Sequence, residues 1–91
     1  MKYRSRTDIT SQILEAANGG STKTKIMYKA FLSYAQLKEY LAVLVENNLL
    51  IFDQKTQTYQ TSDKGHRFLK IYNQMAEFVQ PEADIKSMPR M

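Results

Sequence analysis

Ile9, Ile13, Leu14, Ala16 and Ala17 recur at three- and four-residue steps, the spacing of one helix face. The pattern predicts a first helix over about 8–18. Thr7 or Asp8 can cap its start, because a side-chain oxygen there can accept an early backbone N–H. Asn18-Gly19-Gly20 ends it. Ile26, Met27 and Ala30 mark a short second helix at about 23–30, capped by Ser21 or Thr22, with Lys23, Lys25 and Lys29 outside. Phe31-Leu32 is a brief apolar connector, and Ser33 offers a new N-cap. Leu37, Leu41, Leu44 and Val45 make the clearest helical period and predict a third helix over Tyr34–Glu46, closed by Asn47-Asn48.

The period then changes. Leu49-Leu50-Ile51-Phe52 and Thr58-Tyr59-Gln60-Thr61 are rich in strand formers and flank a polar stretch, which predicts a β-hairpin. Thr61 or Ser62 caps a last helix over about 63–79, with Asp63 favourable at its N-terminal dipole. Gly65, at the start of that helix, suits close packing. Phe68, Ile71, Tyr72, Met75, Phe78 and Val79 form its apolar stripe, and Pro81 stops it. Residues 80–91 hold mixed charge without periodicity and are expected to be a disordered tail.

Helix, short helix, tight connector, helix, hairpin, helix is the order of a winged helix-turn-helix. The expected fold is therefore mainly α with a small β-hairpin, ending in a C-terminal dimerisation helix, over residues 6–79. A chain of 91 residues builds one domain with a thin core. It has no cysteine and a single histidine, which excludes a disulfide scaffold, a thiolate metal site and a His cluster. His66 lacks a nucleophile and an orienting carboxylate, so it reads as a solvated or interfacial side chain, and no enzyme is expected. No cofactor or small molecule is implied. With no long apolar run and no signal-peptide pattern, the expected location is the cytoplasm, on the nucleoid.

The net charge is +4, and residues 1–30 carry it: Lys2, Arg4, Arg6, Lys23, Lys25 and Lys29 stand against Asp8 and Glu15. Such a front-loaded excess suits a polyanionic partner. On the third helix Ser33, Tyr34, Gln36 and Lys38 are the candidates for reading base edges, with Ala35 small enough for close approach. The alternative for Gln36, Lys38 and Glu39 is an ordinary solvated face. Lys23, Thr24, Lys25 and Lys29 are candidate phosphate anchors. Tyr28 can reach phosphate or pack on the third helix, and packing is the expectation. Lys55 sits at the wing tip, where plain turn chemistry is the competing account. Arg4 and Arg6 are expected in a flexible basic arm that is frayed without DNA. Tyr72, Met75, Phe78 and Val79 are the expected homodimer seam, the alternative being that the helix folds back on its own core.

Two blocks carry a resemblance. Thr24-Lys25-Ile26-Met27-Tyr28-Lys29-Ala30, Leu32-Ser33-Tyr34, Gln36-Leu37, Tyr40-Leu41 and Leu44 form the first. Tyr59-Gln60-Thr61, Lys64-Gly65 and Phe68-Leu69 form the second. Together they resemble archaeal winged helix-turn-helix DNA-binding domains, in the branch with the small dimeric chromatin-type proteins. The resemblance implies a regulator of transcription that binds double-stranded DNA as a homodimer, with a recognition helix at about 34–46 and a wing at about 50–61. A sequence-tolerant chromatin protein and a winged helix used for protein–protein contact are the alternatives. Asn47-Asn48 departs from the family's usual glycine, and the last helix is shorter than in the chromatin-type members.

Overall fold

The computed structural model describes residues 3–78, so Val79 and the 80–91 tail lie outside the described residues. The order is α1 (Arg6–Ala16), β1 (Ser21–Thr22), α2 (Lys23–Lys29), α3 (Tyr34–Glu46), β2 (Leu50–Asp53), β3 (Thr58–Thr61) and α4 (Asp63–Phe78). The third helix has the bounds its periodicity predicts. The first begins earlier than expected. Its cap is Ser5, whose Oγ accepts from Asp8 N–H at 3.0 Å while Asp8 Oδ2 accepts from Ser5 N–H at 3.0 Å. This capping box places Thr7 and Asp8 inside the first turn, ahead of the apolar period that begins at Ile9.

The sheet holds three strands, not the two of a bare hairpin. All pairs are antiparallel in the order β1-β3-β2, with Ser21 opposite Tyr59 and Thr22 opposite Thr58. Thr22 closes this short strand and also caps α2, its Oγ1 accepting from Lys25 N–H at 3.3 Å. The wing tip is closed by Asp53 Oδ1, which accepts from Lys55 N–H at 2.9 Å, and by Gln57 Nε2, which donates to the Gln54 carbonyl at 2.8 Å.

One apolar core joins all the helices. Ile13, Leu14 and Ala17 meet Ile26, Ala30 and Leu32, the Leu37-Leu41-Leu44 face of α3, Leu50 and Leu69. The link from β3 to α4 welds the rest to it. Buried Thr61 donates from Oγ1 to the Leu14 carbonyl at 2.6 Å. Ser62 N–H donates to the Leu49 carbonyl at 3.1 Å, and Ser62 Oγ donates to the Asn48 carbonyl at 2.6 Å. The same hydroxyl accepts from Gly65 N–H at 3.0 Å, so Ser62, rather than Thr61, caps α4. Lys64 Nζ donates to the Asn47 carbonyl at 2.9 Å, answering one of the orphan carbonyls at the end of α3.

Further along α4, Tyr72 Oη donates to Asp8 Oδ1 at 2.5 Å, and its ring stacks on Phe68 with centroids 6.3 Å apart. The sequence pattern places Tyr72 in a dimer seam, whereas the structure turns it onto α1 of its own chain. The hydroxyl, followed by the Ser5 bonds, holds the Asp8 carboxyl below its ordinary value, and Asp8 in turn holds the Tyr72 hydroxyl above its own.

Two expectations follow. A Cβ at residue 65 would stand 2.5 Å from the Leu49 carbonyl oxygen and 2.6 Å from Thr61 Cγ2. Because backbone is the obstacle, G65A is expected to destabilise the fold by about 1–3 kcal/mol in denaturant titrations. Y72F is expected to cost about 1 kcal/mol at neutral pH, a modest figure because both partners are partly hydrated. The depressed Asp8 value contributes stability above about pH 4, lost as pH falls through the lower folded value. The raised Tyr72 value contributes below about pH 10, lost as pH rises through the higher folded value. Melting curves of Y72F should therefore differ most from wild type between these limits and converge at either extreme.

Candidate nucleic-acid interface

With Leu37, Leu41 and Leu44 buried, Tyr34, Ala35, Gln36, Lys38, Glu39, Ala42, Val43 and Glu46 are the exposed residues of α3. The N-terminus of this helix is built by Ser33. Its Oγ accepts from Gln36 N–H at 3.2 Å, and Gln36 Oε1 accepts from Ser33 N–H at 3.1 Å. The Ser33 hydroxyl also donates to Gln36 Oε1 at 3.1 Å. The Gln36 carboxamide therefore has its oxygen committed to the cap. Two-point reading of adenine needs both the amide oxygen and the amide nitrogen, so it would require opening this box. Tyr34 and Lys38 carry no such commitment to the cap.

Tyr34 gathers two cations. Lys23 Nζ lies 5.1 Å from the ring centroid and donates to Tyr34 Oη at 3.3 Å, and Lys38 Nζ lies 5.4 Å from the same centroid. Cation–π attraction holds both ammonium groups at the first turn of α3 despite their like charge. Below them a groove of about 410 Å³ runs between α3 and the wing sheet, floored by Leu41, Ala42, Val45, Phe52 and Tyr59. Phe52 and Tyr59 pair across the strands with centroids 4.8 Å apart. No carboxylate lines this groove among the described residues. The arrangement offers two charges to an anion and flat apolar surface beside them. Lys23, Tyr34 and Lys38 are recognisable from sequence, whereas Phe52 and Tyr59 are not. The pairing of Phe52 with Tyr59 depends on hairpin register, which only the turn geometry sets.

The other basic residues do not converge on this point. Thr24 and Lys25 are exposed on the outer face of α2. Lys29 lies on the α1 side, bordering a shallow cleft with Gln12 and Glu15. Lys55 is exposed at the wing tip. Arg4 is not part of a free arm: its guanidinium donates to Gln12 Oε1 at 2.5 Å, to the Ala30 carbonyl, and to the Phe31 carbonyl at 2.8 Å. A guanidinium has five donors, and the carbonyls at the end of α2 lack helical partners, so the arm is drawn in. Arg6 is likewise ordered, as the first residue of α1, beside Thr10, Glu39 and Tyr40. Tyr28 corrects a further expectation, because it is 70% exposed rather than packed on α3. At about 100° per residue it lies opposite Ile26, on the side of α2 that carries Thr24 and Lys25.

On α4, Ile71, Met75 and Phe78 are exposed and share one stripe, while Phe68 and Leu69 pack on the chain's own core and Tyr72 turns to Asp8 of α1. His66 is exposed in the first turn, with its backbone N–H on the Ser62 carbonyl at 2.9 Å. Among the described residues no helix is long and apolar enough to cross a membrane.

The crystal structure of Sso10a-2, a DNA-binding protein from Sulfolobus solfataricus, is similar to this chain with a TM-score of 0.80. The two share 20% sequence identity over 91% of this chain and 90% of the other. At that identity the likeness is one of fold. No curated protein matches the chain. The sequence profile of the winged helix-turn-helix family matches residues 3–80, so the chain, with the helix order and β-hairpin described above, belongs to the winged helix-turn-helix family.

Proposed function

We propose that this protein binds double-stranded DNA with α3 in the major groove, the β2–β3 wing against the flanking backbone, and a second copy joined through α4. The observation that carries the reading is the Lys23–Tyr34–Lys38 cluster at the first turn of α3. In helix-turn-helix docking the N-terminal residues of the recognition helix meet the bases and nearby cations meet the phosphates. Two ammonium groups held on one ring at that end, with no carboxylate in the adjoining groove, suit this geometry. The similarity to an archaeal DNA-binding protein supports it. Lys25 and Lys55 extend the basic surface to either side and serve as further phosphate anchors. Occupancy of a promoter, or of many sites as a chromatin component, is then the means of action, and the nucleoid is the place.

Exposed Glu39 and Glu46 favour the second reading, a winged helix used for protein contact. Glu39 borders a different cleft, with Arg6 and Tyr40, and Glu46 is the last residue of α3, so neither lines the groove beneath Tyr34. The homodimer rests on Ile71, Met75 and Phe78, the last 82% exposed. An apolar stripe of this kind on a small domain marks an interface.

Fluorescence anisotropy on duplex DNA across a salt series tests the DNA reading. K23A/K38A is expected to weaken binding to every duplex and to lower the slope of log K against log salt by about 1.8 per protomer bound, at about 0.9 for each phosphate no longer neutralised. An unchanged slope would remove this cluster from the interface, and absence of wild-type binding at low salt would favour the protein-contact reading. M75D/F78D is expected to convert a dimer into a monomer in sedimentation velocity. It should also weaken operator-length DNA binding by at least about tenfold, because two linked half-sites act with a raised effective concentration. A wild-type protein that sediments as a monomer at all concentrations would overturn the dimer.

A further inference from the structure

The turn between α2 and α3 is built as though for glycine, yet it holds phenylalanine. Leu32 N–H donates to the Met27 carbonyl at 3.1 Å and Phe31 N–H to the Tyr28 carbonyl at 3.3 Å, the paired bonds of a Schellman helix end. The same motif ends α3, where Leu49 N–H meets the Leu44 carbonyl at 2.8 Å and Asn48 N–H the Val45 carbonyl at 3.0 Å. Both motifs need a left-handed residue at the corner, and Phe31 has φ 55° where Asn48 has φ 65°. Asparagine tolerates that region, whereas a bulky aromatic residue there is an outlier. Phe31 gains no burial in exchange, because it is 78% exposed. It is thus unfavourable twice over for the isolated fold. Arg4, bonded to the carbonyls of Ala30 and Phe31, holds the turn in place.

Its surroundings indicate what the ring meets. Phe31 lies two residues before the Ser33 cap, beside the end of α3 that leads into the groove. On the α2 side, exposed Tyr28 lies opposite Ile26, about 60° around the helix from exposed Lys25. Exposed aromatic rings beside a free lysine complement a partner that is anionic and also presents flat apolar faces, as nucleic acid does. We propose that Phe31, supported by Tyr28, is an apolar DNA contact that packs on sugar and base edges beside the α3 footprint, at a cost in stability of the free protein. This rests on the DNA reading above.

The prediction separates the apolar contact from the ionic ones. F31N, which places at this corner the residue that α3 already uses, is expected to raise the melting temperature by about 2–5 °C. It is expected to weaken duplex binding about three- to tenfold at each salt concentration. The salt slope should stay at the wild-type value, because an apolar contact releases no counterions. F31L should keep affinity within about twofold of wild type, since it retains an apolar side chain at the same corner. Wild-type affinity in F31N overturns the inference and leaves the DNA reading standing. A changed slope, a lowered melting temperature or an altered sedimentation coefficient in F31N also overturns it, the last by assigning the ring to contact between copies. Absence of DNA binding by the wild type removes both readings.

Discussion

Five residues, Thr61 to Gly65, hold the other elements in register. Thr61 ties the wing to α1 through the Leu14 carbonyl, and Ser62 takes the carbonyls of Asn48 and Leu49 that follow α3. Gly65 lets α4 pass against that same chain segment, where a side chain would collide with the Leu49 carbonyl. The Thr61 hydroxyl is buried, so leaving its hydrogen bond unmade would be costly, while the Ser62 bond lies nearer solvent. The joint therefore fixes the angle between α3 and the β2–β3 hairpin. The groove between Tyr34, Lys38, Phe52 and Tyr59 exists only because that angle is held.

Charge is less available than its sum suggests. The front third of the chain carries the whole net excess, but Arg4 is consumed by the carbonyls at the end of α2, and Lys29 stands beside Glu15. Lys64, in the last third, is turned to the end of α3. What remains concentrated is the pair at Tyr34, where ring quadrupole and hydroxyl together hold two ammonium groups that would otherwise separate. A site for an anion is made by this grouping more than by net charge, since screening at physiological salt reduces the reach of isolated surface charges to about 8 Å.

The parts legible in the sequence are those where one local rule decides. The third helix shows its period, its Ser33 cap and its Asn48 terminus within a single stretch, and it forms over the expected residues. Gly65 is legible as a close-packing position for the same reason. The start of α1 is not, because the Ser5–Asp8 box precedes the apolar period by several residues. Strand β1 is hidden because Ser21 and Thr22 are polar and acquire strand geometry only from Tyr59 and Thr58, far along the chain in the wing. Arg4, Tyr28 and Gln36 differ from expectation for a shared reason. Side-chain type suggests one role for each, while the actual role is set by which carbonyls, caps or open faces the tertiary fold leaves nearby.

The last helix shows how one such contact reshapes a surface. Once Tyr72 is bonded to Asp8 and stacked on Phe68, the stripe left uncovered is Ile71, Met75 and Phe78. Residues spaced by four and then three form a narrow seam of the coiled-coil kind rather than a broad face. The Asp8 bond anchors α4 to the start of α1, and the Ser62–Gly65 joint anchors it to the end of α3. Held at both points, α4 leaves the domain in a direction fixed by the monomer alone. Any partner helix that covers the seam inherits that direction. The separation of two α3 helices in such a pair would then be set by hydrogen bonds at residues 8, 62 and 72.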